Sequence, residues 1–560
     1  MLPPALPPLP PPLPLRPKKK SLIKRLFIAF CWIAGGGIVG LAVIVGIVVL
    51  TLSHGPTQSW TMDTIAKKDK KAAPMEREWP DKNPPKVPAK ARTDASGIKA
   101  AEDFFSPTNL WLAKFHFTSE QWDGLSPDHV TPAKGVFGGK EEFPLQNTNA
   151  SRNGLAGAVG LDFKWSAGEV ELGGVSVSEA KVRFKGNGTY LHSRTSFKRP
   201  LKVEMPKGKK NRIAGEKVFN FGNLTADHSC LADTMAYEFF RAAGVPAPRT
   251  TFARVLLTID GRFTDRPLGL YVMVEDVDDR FLADRFNDRP TSLFKPVTYH
   301  LFEDLGTEWQ AYKKTYDPKK NTEDSAGQRV IECAKFVSHA SDEEFARRCG
   351  EFFDLDETAR FIAVLSLISS YDGFLNNGQN FYMYLDDASG RFGFIPWDLD
   401  HSWGGFVYTG TLAQRETASV MKPLARHVRL VERLFSAPAF AKLYRQRLGE
   451  IYKSQFDVAQ LERRVDELAA VVRPVVKEES DYRIERFEKA VSKEAASGPR
   501  DGAPEDPHRP VHQLKLFMEH RYKSVEEQLA GKSTGYIFVQ SPSPEEGNLP
   551  GASSGENKTH

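Results

Sequence analysis

The sequence predicts an α+β protein behind a single N-terminal transmembrane helix, and three observations carry that reading. An uncharged apolar run fills residues 26–52, β-prone alternating segments crowd the span from 110 to 277, and helical periodicity dominates the C-terminal third. The chain has 560 residues, ample for a core. Its 76 Lys and Arg stand against 71 Asp and Glu, and no basic stripe interleaved with aromatics occurs in the globular part. A nucleic-acid binder needs such a stripe, so no nucleic-acid partner is expected.

Residues 1–25 form a proline-rich basic tail suited to polyproline II and unable to bury apolar area. Residues 26–52, LFIAFCWIAGGGIVGLAVIVGIVVLTL, carry no charge, and at about 1.5 Å per residue they exceed the roughly 30 Å hydrocarbon core. A cleaved signal peptide is the alternative. However, the run is longer than the roughly 7–15 residues of a signal's apolar region, and the HGPTQSW that follows lacks a small-x-small cleavage site. Arg16, Lys18, Lys19, Lys20, Lys24 and Arg25 precede the run, whereas the first cations after it are Lys67, Lys68, Lys70 and Lys71. That bias puts the N-terminus in the cytoplasm and the main domain on the periplasmic or extracellular side.

Residues 53–100 are charged and Pro/Ala-rich, the composition of a flexible tether, and residues 531–560 read as a disordered tail. The 101–530 span between them is globular, with no repeat of solenoid period. Cys230, Cys333 and Cys349 follow the membrane run without a CxxC pair; Cys333 and Cys349 are a candidate disulfide, with one thiol left over.

Within the globular part, LWLAKFHF (110–117) reads as a strand, and Thr118 or Ser119 caps the helix after it. In 181–205, Val182/Phe184 and Leu201/Val203 alternate with charged residues, which predicts two strands around a glycine turn. Gly186 and Gly188 there would let backbone amides approach an anion, and Arg183, Lys185, Lys198 and Lys202 supply charge suited to a triphosphate. An ordinary Asn-Gly turn with solvated lysines is the competing reading. SCLADTMAYEFFRAA (229–243) predicts a helix that carries Glu238 beside its apolar stripe and ends at Gly244. Residues 250–277 predict a hairpin turning at Asp260-Gly261, whose second strand ends on Glu275, either a solvated terminus or a member of the nucleotide-side set.

The segment 354–371, with Asp356 as its cap, predicts a buried helix that delivers Asp372. NFYMYLD and RFGFIPWD predict a hairpin around DDASG, so the asparagines before one strand return beside Asp398 and Asp400 after the other. Asp372 and Asn377 lie five residues apart. Phosphoryl transfer needs a carboxylate to take the hydroxyl proton, an amide and a second carboxylate for Mg²⁺, and cations on the phosphates. A polar loop whose Asp and Asn only satisfy turns is equally consistent with the residues. The later segments read as amphipathic helices whose leucines and valines pack a core.

RFKGNGTYLHSRTSFKRPLKVEM, GVPAPRTTFARVLLTIDGRF, LGLYVMVEDVDDRFL, DGFLNNGQNFYMY and FIPWDLDHSWGG stand here in the order of the CotH family, the spore-coat-type atypical protein kinases, which this chain resembles over about 105–530. LKLFMEHRYKSVEEQL resembles the family's closing helix. The resemblance implies a divergent kinase-like fold, with a small β-rich lobe and a mostly helical lobe. It also implies ATP and Mg²⁺ (or Mn²⁺) as cofactors and transfer of the γ-phosphoryl to Ser or Thr of an envelope, coat or secreted protein. By similarity Asp372 is the catalytic Asp, and Asn380 and Asp398 are the metal-binding pair, with Asn377 and Asp400 as further candidates. Lys202 is the phosphate-contacting lysine, Lys198 its alternative, and Glu238 the lysine's partner. A non-catalytic surface or envelope-assembly module of the same fold is the other expectation.

Overall fold

The computed structural model describes residues 90–129, 161–208, 211–289, 291–298, 300–320, 324–494 and 510–538. Every described residue falls in the unit Lys68–His560. The expected membrane helix at 26–52 and the basic tail before it lie outside the described residues. No described helix is long and apolar enough to cross a membrane.

The strands form two main sheets. Strands β1 (Leu110–Phe117), β4 (Ser166–Leu172), β5 (Val175–Phe184), β6 (Leu201–Glu204), β7 (Val218–Gly222), β8 (Thr250–Ile259) and β9 (Phe263–Glu275) close a barrel in the order β1-β4-β5-β6-β7-β9-β8; β2 (Asp128–His129) and β3 (Leu161–Asp162) pair apart from it. Every barrel pairing is antiparallel except the closing one, where Leu110–Phe117 runs parallel to Phe252–Ile259. Alternating residues such as Phe115, Val170, Val182, Val203 and Phe221 are fully buried, as the period of two in their strands requires.

A second antiparallel sheet, ordered β11-β10-β12-β13, joins β10 (Thr291–Phe294), β11 (Pro318–Lys320), β12 (Phe381–Asp386) and β13 (Arg391–Pro396). Helices surround it. Leu355–Leu367 packs on β13 and on the helix Pro438–Gln455, and Leu514–Leu529 lies against the helix Val458–Glu479. The architecture is therefore α+β, with the β-barrel first and the helices mostly after it.

Several local expectations are corrected. The segment between β5 and β6 is not a tight glycine turn: Phe184 pairs with Leu201, and the intervening residues include the short helix Gly188–Ser193. The cap of Leu355–Leu367 is Asp354, whose carboxylate accepts Glu357 N–H at 3.0 Å, and Asp356 sits inside the first turn. The tether ends earlier than residue 100, because Arg92 N–H bonds Leu110 O at 2.7 Å and Ala95 is buried. Residues 531–538 are likewise tied down: Tyr536 bridges to Ala418, and Phe538 packs 5.0 Å from the Tyr371 ring. Cys333 and Cys349 are both buried free thiols, so the candidate disulfide is not formed.

Candidate active site

The hairpin β12/β13 pairs Phe381 with Pro396, and Trp397 N–H continues the ladder to Asn380 O at 3.1 Å. This register brings Asn380 and Asp398 to the same end. Just before β12, Asn377 Nδ2 and Gln379 Nε2 donate to Asp372 Oδ1 at 2.5 and 3.0 Å, and Asn380 Nδ2 donates to Asp372 O at 2.7 Å. Asn380 and Asp398 both hold a left-handed backbone, φ 60° and 56°. The bends cost conformational energy and persist because the surrounding hydrogen bonds fix them.

At Asp398 those bonds come from the helix Ala232–Ala242. Tyr237 Oη accepts Asp398 N–H at 2.9 Å, and Asp233 Oδ1 accepts Leu399 N–H at 2.6 Å. Ser402 and Trp403 both donate to Ala232 O at 3.3 Å, so the whole DLDHSW turn is pinned to that helix.

Asp372, Asn380, Asp398, Asp400 and His401 line a cleft of about 860 Å³. Ligand atoms of Asp372, Asp400 and His401 all lie within 4.8 Å of one another. Arg183, Lys185, Lys202 and Lys295 line the same cleft. Loss of hydration, with Asp398 and Asp372 near, pushes the Asp400 carboxyl up to about 7 against the pull of His401. Burial also raises the Asp233 carboxyl, and Asp400 and Asp398 add to it. For His401, burial acts downward but is outweighed by Asp400, Asp372 and Asp398, so the net shift is upward. Crowded carboxylates of this kind are relieved by a cation.

The donor set fits a divalent ion. Carboxylate and amide oxygens are the hard ligands that Mg²⁺ and Mn²⁺ select. Asn380, Asp398 and Asp400 offer such oxygens from the cleft wall, beside Asp372. Asn377 does not line the cleft; its amide nitrogen is spent on Asp372, and its Oδ1 is buried without a hydrogen-bond partner among the described residues. It is placed to hold Asp372 and not to face a ligand.

On the cationic side, Lys202 Nζ lies 2.8 Å from Asp276 Oδ1, which also accepts Asn220 Nδ2 at 2.9 Å. Lys198 lines the cleft but is almost fully buried, with Nζ 2.5 Å from Glu479 Oε1. The same Glu479 oxygen accepts Leu270 N–H at 2.7 Å, an approach that needs Gly269, where a Cβ would stand 2.4 Å from it. Lys198 thus ties the barrel to the helix Val458–Glu479. Gly186 adopts φ 71° and Gly188 opens the helix Gly188–Ser193; both line the cleft. Burial lowers the Lys185 amine, and Lys202 and Arg183 add to it while Asp398 and Asp233 oppose.

Two expected members are elsewhere. Glu238 is not a lysine partner: its carboxylate takes Arg464 Nη2 and Nε at 2.6 and 3.0 Å, on the far side of its helix from Asp233. Glu275 is not a solvated strand end either. It is fully buried, pairs with Arg249 and with Arg285 at 3.2 Å, and accepts Arg249 N–H at 2.9 Å, all outside the cleft. Neither site touches the nucleotide-side cations.

Sequence reasoning missed Lys295, Asp276 and Asp233. Lys295 follows β10 and lies 5.0 Å from the centroids of both Tyr382 and Trp397; burial, then Lys319, pulls its amine down to about 7. The available signal was a lone cation closing an apolar strand before proline, SLFKP. Asp233 carried a clearer one, an acid among ADTMAY on a helix buried nearly all round.

The barrel, the sheet and this cleft define an α+β protein whose carboxylates, amides and lysines line one cavity. A model described as CotH kinase protein matches residues 182–525, and the chain belongs to the CotH family. It is 26% identical over 272 residues to the inner spore coat protein H of Bacillus subtilis (strain 168), covering 47% of this chain and 70% of that protein. Among solved structures, the Helicobacter pylori proinflammatory kinase CtkA aligns at 11% identity and a TM-score of 0.21, over 51% of this chain and 94% of that one.

Proposed function

We propose that this chain is an atypical protein kinase that transfers the γ-phosphoryl of ATP to a serine or threonine hydroxyl. The observation that carries the reading is that Asp372, Asn380, Asp398 and Asp400 line the same cleft as Arg183, Lys185, Lys202 and Lys295. In this reading the barrel serves as a small nucleotide-side lobe and the helices as the larger lobe of a kinase-like fold.

Each residue then has a role. Asp372, oriented by the Asn377 and Gln379 amides, accepts the hydroxyl proton as the new O–P bond forms and the bond to the leaving ADP breaks. Lys202, fixed by Asp276, and Lys295, at the end of β10, contact the phosphates and take up the charge that develops on them. Asn380, Asp398 and Asp400 would hold Mg²⁺ or Mn²⁺, which supplies charge neutralisation on the phosphates. Tyr237 and Asp233 position the Asp398–Leu399 backbone and touch no reacting atom.

The same reading makes the enzyme a single-pass membrane protein, held through residues 26–52 with its domain outside the cytoplasm, and its substrates envelope, coat or secreted proteins. The flanking-charge bias supports that orientation. The test is nucleotide binding by the purified full chain. ATP is expected to bind with Mg²⁺ and to lose at least about tenfold in affinity in Asp398→Ala. Equal binding by both proteins overturns the reading.

A further inference from the structure

A second cleft, of about 450 Å³, shares no lining residue with the first. Four guanidiniums line it from four separate places: Arg241 on the helix Ala232–Ala242, Arg285 on the helix Asp279–Phe286, Arg289 just beyond that helix, and Arg391 at the start of β13. The acids on its wall are Asp354, Glu357 and Asp386.

Acids pair with two of the four, Asp386 with Arg289 and Glu275 with Arg285, and leave Arg241 and Arg391 without an ion pair among the described residues. Asp354 is occupied as the cap of Leu355–Leu367, and Asp386 pairs with Arg289 at 2.8 Å. Glu357 Oε2 accepts the Tyr384 hydroxyl at 2.8 Å, and burial keeps this carboxyl protonated up to about 8. Arg241 donates to Pro248 O and Arg285 to Glu275, so both forks are held in place at the inner wall. The Arg391 side chain is exposed and has no ion-pair or hydrogen-bond partner among the described residues. Several planar forks converging from different elements, with room between them, suit an anion with several oxygens better than a single carboxylate.

We propose that this arginine-lined cleft binds a phosphoryl group, free or carried on a phosphoserine or phosphothreonine side chain. Clusters of arginines recognise phosphorylated side chains through charge-assisted hydrogen bonds, and here Arg289 and Arg391 form the accessible mouth. The site needs neither ATP nor Asp372, so its failure and that of the phosphotransfer reading are separate results.

The experiment uses the full chain without nucleotide. A labelled phosphoserine peptide and its unphosphorylated twin are titrated by fluorescence anisotropy, and inorganic phosphate by calorimetry. At least about tenfold preference for the phosphorylated peptide is expected, abolished in Arg289→Gln/Arg391→Gln with the thermal transition unchanged. Binding of inorganic phosphate with the same variant sensitivity assigns the site to the free anion; binding of the peptide alone assigns it to the side chain. If the double variant is poorly folded, Arg391→Gln alone replaces it, because that side chain holds no structural contact among the described residues. The proposal is overturned if neither phosphate source binds, or if binding survives these substitutions undiminished.

Discussion

Tyr237 Oη accepts the backbone N–H of Asp398 at 2.9 Å, and Asp398 there holds a left-handed φ of 56°. A helix laid down 161 residues earlier therefore fixes the conformation of a cleft carboxylate. Asp233, one turn before Tyr237, does the same for Leu399.

Tyr237→Phe keeps the ring and removes the acceptor. The orphaned amide is expected to cost about 1–3 kcal/mol, read as a lower midpoint in urea unfolding. If the hydroxyl only filled space, the midpoint would stay put. Because the turn carries Asp398, affinity for ATP with Mg²⁺ is expected to fall in the same variant.

The two lysines of the cationic wall separate stability from binding. Lys198→Ala takes the nearer of two cations from buried Glu479 and leaves Arg483 Nε at 3.7 Å, an expected loss of up to about 3 kcal/mol in denaturant unfolding. Lys202→Ala strands the less buried Asp276 and is expected to weaken nucleotide binding more than folding. Reversal of this pattern would make Lys198 the phosphate lysine.

Glu357 gives the stability a pH dependence. Burial raises its folded-state carboxyl to about 8, so between its unfolded value near 4.5 and about 8 the folded chain holds a proton that the unfolded chain has released. Its contribution is complete below about 4.5 and lost as the pH rises through 8, with a slope of at most about 1.4 kcal/mol per pH unit. Unfolding of Glu357→Gln across pH 5–8 is expected to flatten that decline. An unchanged slope would show that Glu357 is ionised in the folded protein.

Much of this was legible in the residues. The closing helix runs Leu514–Leu529, as the family resemblance implies, and the β12/β13 hairpin lies where DDASG breaks two apolar runs. Turn chemistry and period two are local signals, and they converge on Asn380 and Asp398 without tertiary information. Barrel closure was not legible, since the parallel pairing of β1 with β8 joins segments about 140 residues apart and leaves no mark in either strand. Glu238 and Glu275 were misread for a similar reason. Each is an acid on a well-predicted element, and only the distant Arg464 and the buried Arg249 decide which way it is used. Lys202 and Lys198 alternate along the same segment, and their partners Asp276 and Glu479 come from elsewhere in the fold.

The central claim is that Asp372 takes the proton of an attacking hydroxyl. It is tested by incubating the full chain and Asp372→Asn with γ-labelled ATP, Mg²⁺ and a Ser/Thr-containing protein acceptor, and measuring transferred label. The account predicts labelling by the native chain and a loss of at least about a hundredfold in Asp372→Asn, with ATP still bound. Equal labelling by both proteins, or none by the native chain while it binds ATP, would contradict it.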